Sequence, residues 1–178
     1  MRVFVAGASG AIGTRLVPQL IDRGHEVFGT SRSPESAERI RALGAEPIVL
    51  DLLDPRAVLE AVVGAAPDAI VNQATALANV RFSKNLDRSF VDTNRLRREG
   101  TDALLAAARE AGVSRFLAQS FASLRYAREG GPVKTEGDAL DPTPVAGMSE
   151  TAAAMTYLDE AVTEAGGIAL RYGNFYGA

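Results

Sequence analysis

Three glycines, Gly7, Gly10 and Gly13, stand at three-residue intervals near the start of the chain. They follow an apolar run at residues 3–5 that predicts a strand, and residues 11–23 after them have the apolar spacing of a helix. A tight strand-to-helix turn points backbone N–H groups and the positive end of the helix dipole at one place, and the missing Cβ atoms let a pyrophosphate approach closely. The pattern therefore predicts a dinucleotide-binding turn. The alternative is a purely structural turn, because glycine spacing alone is a weak signal.

The second predicted strand ends in residues 30–33, which include Arg32 and no acidic residue. In a dinucleotide-binding fold an acid at this place accepts hydrogen bonds from the ribose 2′-hydroxyl, whereas an arginine accommodates a 2′-phosphate. The planar guanidinium of Arg32 suits phosphate oxygens and stacking on adenine, with Ser9 and Ser31 as small donors nearby. NADP is therefore favoured over NAD as the cofactor. The alternative is that Arg32 is an exposed residue ahead of the helix that starts at Pro34.

Two aspartates follow the third predicted strand. Asp54 precedes Pro55, and this pair is typical of a helix N-cap followed by proline at the first helical position. Asp51 stands at the carboxyl end of the strand, where its carboxylate could accept a hydrogen bond from the adenine amino group while Leu52 packs on the ring. Asp51 and Leu52 are therefore candidate adenine contacts.

The composition excludes several classes of protein. The 178 residues are 47% hydrophobic and 23% charged, which suits one soluble domain with a substantial core. A net charge of −3 gives no sign of a nucleic-acid or membrane partner, and the absence of cysteine excludes disulfides, thiolate catalysis and zinc–sulfur sites. No segment is long and apolar enough to cross a bilayer, so we expect a cytoplasmic protein that acts on a small molecule.

Short apolar strands alternate with helices along the whole chain. Strands are expected at residues 3–5, 25–30, 47–50, 68–73, 113–119 and 167–172, and helices at residues 11–23, 35–43, 58–63, 92–110 and 151–165. This alternation predicts the α/β class: a Rossmann-type doubly wound parallel sheet with strand order 3-2-1-4-5-6 and helices on both faces. Residues 1–178 are expected to form a single dinucleotide-binding domain.

Two long connections follow strands at the sheet edge where ligands bind in such folds. Residues 74–90 lack a clear period and are expected to form a lid, and residues 121–150 are rich in glycine and proline and are expected to hold the substrate. The cluster Arg95, Arg97 and Arg98 could face an anionic ligand, but a solvated helix face is the favoured interpretation. The single histidine, His25, is interpreted as a turn residue, and no metal site is expected.

The chain resembles the extended or atypical short-chain dehydrogenase/reductase superfamily, and within it the NAD-dependent epimerase/dehydratase group. The matching motifs, in the order and nearly at the spacing of that family, are GASGAIG at 7–13, DLLD at 51–54, VNQAT at 71–75, EGTDALLAAARE at 99–110 and LRYGNFYG at 170–177.

The resemblance implies a role for each motif. The residues implied to hold the pyrophosphate are Gly7, Ser9, Gly10, Ala11, Ile12 and Gly13. Asp51 and Leu52 would contact the adenine, and Ala74 and Thr75 the middle of the cofactor. The residues implied to line the nicotinamide are Tyr172, Gly173 and Phe175, with Asn174 turned toward the substrate.

The catalytic pair of the superfamily does not match. Members use Tyr-x-x-x-Lys, in which the tyrosine exchanges a proton with the substrate and the lysine holds the nicotinamide ribose. With Glu160 taken as the glutamate that follows the lysine by four positions, the tyrosine and lysine slots hold Ala152 and Thr156. A carbonyl reduction would then lack its usual positioned proton donor, a contribution of about 10² to 10⁴ in rate.

Residues near the fifth strand are the candidates to replace that donor. The usual serine slot, counted from Tyr126, falls on Ala122, which leaves Ser120 or Ser123 as substitutes. We take Ser120 and Tyr126 as the candidate catalytic residues. The alternative for Tyr126 is a plain contact residue.

Two functions stay open at this stage. One is an NAD(P)-dependent oxidoreductase or epimerase/dehydratase-like enzyme acting on a carbonyl or hydroxyl substrate, and the other is a non-catalytic NADP-binding regulatory or redox-sensing module. Extended members continue past the sixth strand into a substrate region, and the 178 residues end where that region would begin. We therefore expect either a fragment of a larger enzyme or a homodimer in which a second copy covers the substrate.

Overall fold

A sheet of six strands forms the centre of the computed structural model, which describes residues 1–78, 80, 83–123 and 125–175. The strands are β1 (Arg2–Ala6), β2 (Glu26–Ser31), β3 (Glu46–Val49), β4 (Ala69–Asn72), β5 (Arg115–Phe121) and β6 (Ile168–Tyr172). They pair in parallel in the order 3-2-1-4-5-6. This confirms the predicted Rossmann-type doubly wound sheet.

Helices form the connections between the strands. They are α1 (Gly13–Asp22), α2 (Pro34–Ala42), α3 (Pro55–Ala65), α4 (Leu86–Ser89), α5 (Val91–Arg95), α6 (Thr101–Glu110) and α7 (Ser149–Glu164), with a π-helical turn at Leu96–Gly100. Within the described ranges, no helix combines the length and the apolar character that crossing a membrane requires.

Alternate side chains of β1 point into two separate cores. Phe4 belongs to a buried cluster with residues of α3, α6 and α7, whereas Val3 and Val5 belong to a second cluster with residues of α1 and α2. This division follows from the two-residue period of a strand. Helices therefore cover both faces of the sheet, and the strands between them can be almost wholly apolar.

Local signals set several helix starts. The Asp54 carboxylate accepts hydrogen bonds from the N–H groups of Arg56 and Ala57, each at 3.1 Å, so the predicted N-cap is present. At the start of α2 the Ser33 hydroxyl accepts from the Ser36 N–H at 3.3 Å. Both helices carry proline in their first turn, where the missing N–H costs nothing.

Three boundaries differ from the sequence expectation. Helix α1 begins at Gly13 instead of residue 11, because residues 11 and 12 belong to the glycine turn. The expected helix at 92–110 is divided by the π-helical turn, which admits an extra residue and changes the direction of the side chains that follow. Residues 74–90, expected as an irregular lid, contain the short helix α4.

Helix α7 is tied to α6 through a phenol. The Tyr157 hydroxyl donates to the Asp102 carboxylate at 2.8 Å, and this hydrogen bond, with partial burial, raises the pKa of Tyr157 above its ordinary value. A group whose pKa is raised by folding stabilises the fold below its unfolded pKa, about 10 for tyrosine, and loses that contribution as the pH rises through the folded pKa. We expect the stability advantage of the native chain over Tyr157→Phe, measured by urea unfolding, to be constant from pH 7 to 9 and to shrink above pH 10. An advantage that grows above pH 10 would contradict this linkage.

Candidate functional site

A cavity of about 620 Å³ opens at the carboxyl edge of the sheet, and we call it the first cavity. Its lining includes eleven residues that the sequence singled out: Gly7, Ser9, Gly10, Ala11, Ile12, Ser31, Arg32, Leu52, Ala74, Thr75 and Phe175. It also includes residues that sequence reasoning missed, among them Arg39, Gln73 and Gln119. The predicted cofactor contacts that do not line it are Gly13, Asp51, Tyr172 and Gly173.

The glycine turn makes close backbone contacts that side chains would prevent. Gly7 has a φ of +78°, and a Cβ on it would lie 2.8 Å from Ala74 Cα. The Gly7 N–H donates to the Thr30 hydroxyl at 3.1 Å, which fastens the turn to β2. A Cβ on Gly13 would lie 2.4 Å from the Ala8 carbonyl oxygen, so Gly13 allows α1 to pack on the turn and lies behind the cavity wall.

The first turn of α1 suits an anionic ligand. Its N-cap is Ile12, whose apolar side chain makes no capping hydrogen bond. The N–H groups of Thr14 and Arg15 already donate to the Gly10 and Ile12 oxygens at 2.9 and 3.0 Å. Among the described residues the N–H groups of Ala11 and Ile12 have no acceptor, and they lie at the positive end of the helix dipole. Since Ile12 lines the first cavity, the residues present fit a pyrophosphate at this place.

The end of the cavity next to β2 and α2 is positively charged. Arg32 and Arg39 line it together with Ser33 and Ser36, and no residue of the described lining is acidic. The Arg39 guanidinium donates to the Ser36 hydroxyl at 2.7 Å, which holds it beside the helix start. Two cations with neighbouring hydroxyl groups make this end complementary to a phosphate.

Asp51 stays out of the first cavity. Its carboxylate accepts a hydrogen bond from the Leu53 N–H at 3.0 Å, which closes the turn after β3. Its neighbours Leu50 and Leu52 provide apolar lining instead.

The opposite end of the cavity contains an unsatisfied acceptor. The Gln73 side chain donates from Nε2 to the Tyr172 hydroxyl at 3.4 Å, but among the described residues its buried Oε1 has no hydrogen-bond donor. The Phe175 ring meets the Tyr172 ring edge-on at 5.6 Å between centroids. Tyr172 therefore contacts two lining residues, Gln73 and Phe175, but does not line the cavity itself. Buried acceptors are nearly always bonded, so Oε1 is available for a ligand N–H.

Ser120 belongs to β5, but its side chain is buried and does not line the first cavity. It is 2% exposed, and its hydroxyl accepts from Arg125 Nη1 at 3.2 Å. The same guanidinium donates to Asp159 at 2.9 Å and to Thr156, the residue in the lysine slot, at 3.2 Å. Sequence reasoning missed Arg125, whose guanidinium contacts the Ser120 hydroxyl that was expected to be catalytic.

Asp159 is shared by two arginines, and we call Asp159, Arg125 and Arg171 the Asp159 cluster. Asp159 Oδ2 accepts from Arg125 Nη1 at 2.9 Å and from Arg171 Nε at 2.8 Å. Burial is nearly complete for Arg125 and Asp159 and partial for Arg171. The cluster therefore carries a net positive charge where α7 packs on β5 and β6.

Arg97 corrects the expectation that residues 95–98 form a solvated face. Arg95 and Arg98 are half exposed and pair with Glu99 and Glu150, but Arg97 is buried at the π-helical turn. Burial, with repulsion from Arg125, lowers the pKa of Arg97 to about 10, and Asp159 opposes that shift. Arg97 thus faces the interior and not an exposed anionic ligand.

A second cavity, of about 450 Å³, lies where β5 and β6 end and the 121–150 connection begins. Tyr126 and Ser123 line it together with Arg171. Arg171 Nη1 donates to the Tyr126 hydroxyl at 3.5 Å, and its guanidinium lies 6.0 Å from the centroid of the tyrosine ring. The structure therefore brings Tyr126 together with Ser123, the alternative serine, in the lining of the second cavity. Ser120 is not part of that lining.

The described residues Gly173 and Asn174 of the motif at 170–177 line neither cavity. Gly173 and Asn174 are exposed, and Tyr176 and Gly177 fall outside the described residues.

Comparison with known proteins agrees with this geometry. The model of the NAD dependent epimerase/dehydratase family matches residues 3–178. The chain is 43% identical over 188 residues to a 3-diazoavenalumate denitrifying reductase of a Streptomyces species, covering 99% of this chain and 57% of the relative. It is 35% identical over 146 residues to the 2-alkyl-3-oxoalkanoate reductase of Stenotrophomonas maltophilia, covering 81% of this chain and 39% of the relative.

Solved structures agree on the fold. The UDP-Glc/GlcNAc 4-epimerase of Campylobacter jejuni superposes with a TM-score of 0.78 at 20% identity, over 96% of this chain and 53% of that one. The chain thus spans about half the length of these proteins or less. With the glycine turn, the strand order and the match over nearly all residues in agreement, the chain belongs to the NAD dependent epimerase/dehydratase family.

Proposed function

We infer that the chain is the cofactor-binding part of an NADP-dependent reductase that acts on a small organic substrate. The observation that carries this proposal is the charge of the first cavity, which holds Arg32 and Arg39 at its β2 end and no acid in its described lining. An acidic residue there would accept hydrogen bonds from a ribose 2′-hydroxyl and repel a 2′-phosphate. Two guanidinium groups favour the phosphate instead.

The rest of the first cavity supports the same cofactor. The turn at Gly7 and the uncapped start of α1 would hold the pyrophosphate, and Gln73 Oε1 would accept from the carboxamide end. When bound, the nicotinamide supplies hydride chemistry. Reduction is favoured over epimerisation because both curated relatives above are named reductases, whereas the epimerase likeness at 20% identity concerns the fold alone.

Tyr126 is the proton donor in this proposal. Arg171 donates to the phenolic oxygen, which leaves the Tyr126 O–H free to donate toward the second cavity. Ser123 lines the same cavity and offers a further hydroxyl, while Ser120 is buried and does not line it. The test is Tyr126→Phe in a chain with measurable NADPH turnover, and unchanged turnover would exclude this role.

A non-catalytic NADP-binding module is the second candidate. The tyrosine and lysine slots hold Ala152 and Thr156, and Thr156 is engaged by the buried guanidinium of Arg125. NADPH binding without oxidation by any of a panel of ketones, aldehydes and diazo compounds would favour this candidate. Turnover with one of them would favour the reductase.

The cofactor preference gives a direct prediction for Arg32→Ala. We expect the Kd for NADPH to rise roughly ten- to hundredfold, the effect of losing one or two charge-assisted hydrogen bonds, and the Kd for NADH to change less than about threefold. Nucleotide fluorescence titration measures both. Arg23→Ala, an exposed arginine at the end of α1, is the matched control and should change neither Kd. Native protein that binds NADH as tightly as NADPH would overturn the NADP assignment.

A further inference from the structure

We propose that the second cavity binds the carboxylate of the substrate, which makes the substrate an elongated organic acid. This assignment rests on the proposed reductase function and names the class of molecule that it reduces. The cavity is lined by three cationic side chains, Arg128, Lys134 and Arg171, against one acidic side chain, Glu136. A concave site with this excess of positive charge attracts an anion.

Arg171 is fixed in place while its positive charge is only partly compensated. Its Nε is bonded to Asp159, which also serves Arg125, so one carboxylate is shared between two cations. Its Nη1 is directed toward the Tyr126 hydroxyl in the cavity. A guanidinium held in this way loses little further conformational entropy when it binds a ligand.

Arg128 is a second cation of the lining that is available to a ligand. It is exposed, and among the described residues it has neither a hydrogen-bond nor an ion-pair partner. Lys134 donates to the backbone oxygen of Glu129, which keeps its ammonium group near the cavity. The planar guanidinium of Arg128 matches the geometry of a carboxylate with two parallel hydrogen bonds.

The backbone on both sides of this cavity is ordered by hydrogen bonds. Tyr126 and Leu140 form an antiparallel bridge, and the Ala127 N–H donates to the Ala139 oxygen at 2.9 Å. The Asp141 N–H donates to the Arg125 oxygen at 2.7 Å. The segment carrying Arg128 therefore starts from a defined position next to Arg171.

The separation of the two cavities sets the shape of the acid. Gln119 lines the first cavity, and Ala122 lines the second three residues further along the same extended chain. Three residues of strand span about 10 Å. The two cavities are therefore neighbours along this segment, and an elongated substrate with its carboxylate in the second cavity extends toward the first.

The test is a titration of the ¹⁵N-labelled 178-residue chain, followed by amide chemical shifts, with sodium benzoate, benzamide and inorganic phosphate as separate probes. We expect saturable benzoate shifts centred on Ala122, Ala127 and Thr135, both with and without saturating NADPH. Benzamide, of the same shape without the charge, is expected to bind at least about tenfold more weakly. Arg128→Gln should weaken benzoate binding by about tenfold, while Arg109→Gln, an exposed arginine at the end of α6, should leave it unchanged.

Each other outcome overturns the assignment. Benzoate shifts confined to residues 7–13, equal binding of benzamide, or full benzoate affinity in Arg128→Gln would exclude a carboxylate site in the second cavity. Phosphate that binds there more tightly than benzoate would assign the cavity to a phosphoryl group instead. The NADPH titration in the same samples reads the first cavity separately, so failure of cofactor binding is distinguished from failure of this inference.

Discussion

Asp159→Asn is expected to destabilise the fold by about 3–5 kcal/mol, the cost of leaving buried charges without their partner. The substitution keeps the shape of the side chain and removes the charge that Arg125 and Arg171 share. Arg125 is the critical partner, because its side chain is only 2% exposed and cannot turn to water. Urea unfolding at pH 7 measures the difference.

A neighbouring residue provides the control for this prediction. Glu160→Gln makes the same chemical change one position along α7, where the side chain is exposed, and should change stability by less than about 0.5 kcal/mol. Adding Arg125→Met to Asp159→Asn should recover a substantial part of the loss, because it removes the buried charge left unpaired. Equal stability of Asp159→Asn and Glu160→Gln would show that the Asp159 cluster contributes nothing to the fold.

Gly13→Ala is expected to cost about 1–3 kcal/mol of stability and to weaken NADPH binding at the same time. The new Cβ would lie 2.4 Å from the Ala8 carbonyl oxygen and 2.6 Å from Ala8 Cα, and backbone atoms cannot move aside without displacing α1 from β1. The displaced helix would carry the N–H groups of Ala11 and Ile12, which line the first cavity, away from their positions. Urea unfolding and NADPH titration of the same variant measure the two effects.

Gly64→Ala is the matched control for this clash. Gly64 lies in α3 with nothing within 4 Å of its Cβ position, so alanine there should stabilise the helix by about 0.5–1 kcal/mol. The two substitutions thus have opposite expected signs for the same chemical change. A Gly13→Ala variant as stable as the native chain would show that α1 can shift freely, and the close packing would then not explain the glycine.

The fold could be predicted because its signals are local. The glycine turn, the Asp54-Pro55 helix start and the alternation of apolar strands with helices all act over a few residues. The buried serine could also have been found, since Phe116, Ala118 and Ser120 share one face of β5 and all are buried. That two-residue period places Ser120 under α7 and favours Ser123 as the hydroxyl at the cavity.

The residues that could not be predicted depend on distant partners. Arg125 meets Asp159 across 34 residues of sequence, and no local pattern marks a loop arginine as buried. Arg97 looks like a member of a solvated charge run, and only the π-helical turn directs it inward. The Asp51 carboxylate accepts a hydrogen bond from the Leu53 N–H in the next turn, and Asp51 does not line the first cavity. The partners and burial of these side chains are decided by tertiary packing, which the short-range spacing of residues does not encode.

Arg125 limits how much of the 121–150 connection can move rapidly. It anchors the root of the 121–150 connection through a buried ion pair, and Met148 at the far end is only 3% exposed. A hinge at either root would have to break these contacts, so rapid motion is restricted to a short flap around residues 128–138. Among the described residues of this connection, amide order parameters should therefore fall within that flap, which makes substrate entry a fast loop motion and not a slow rearrangement of the domain.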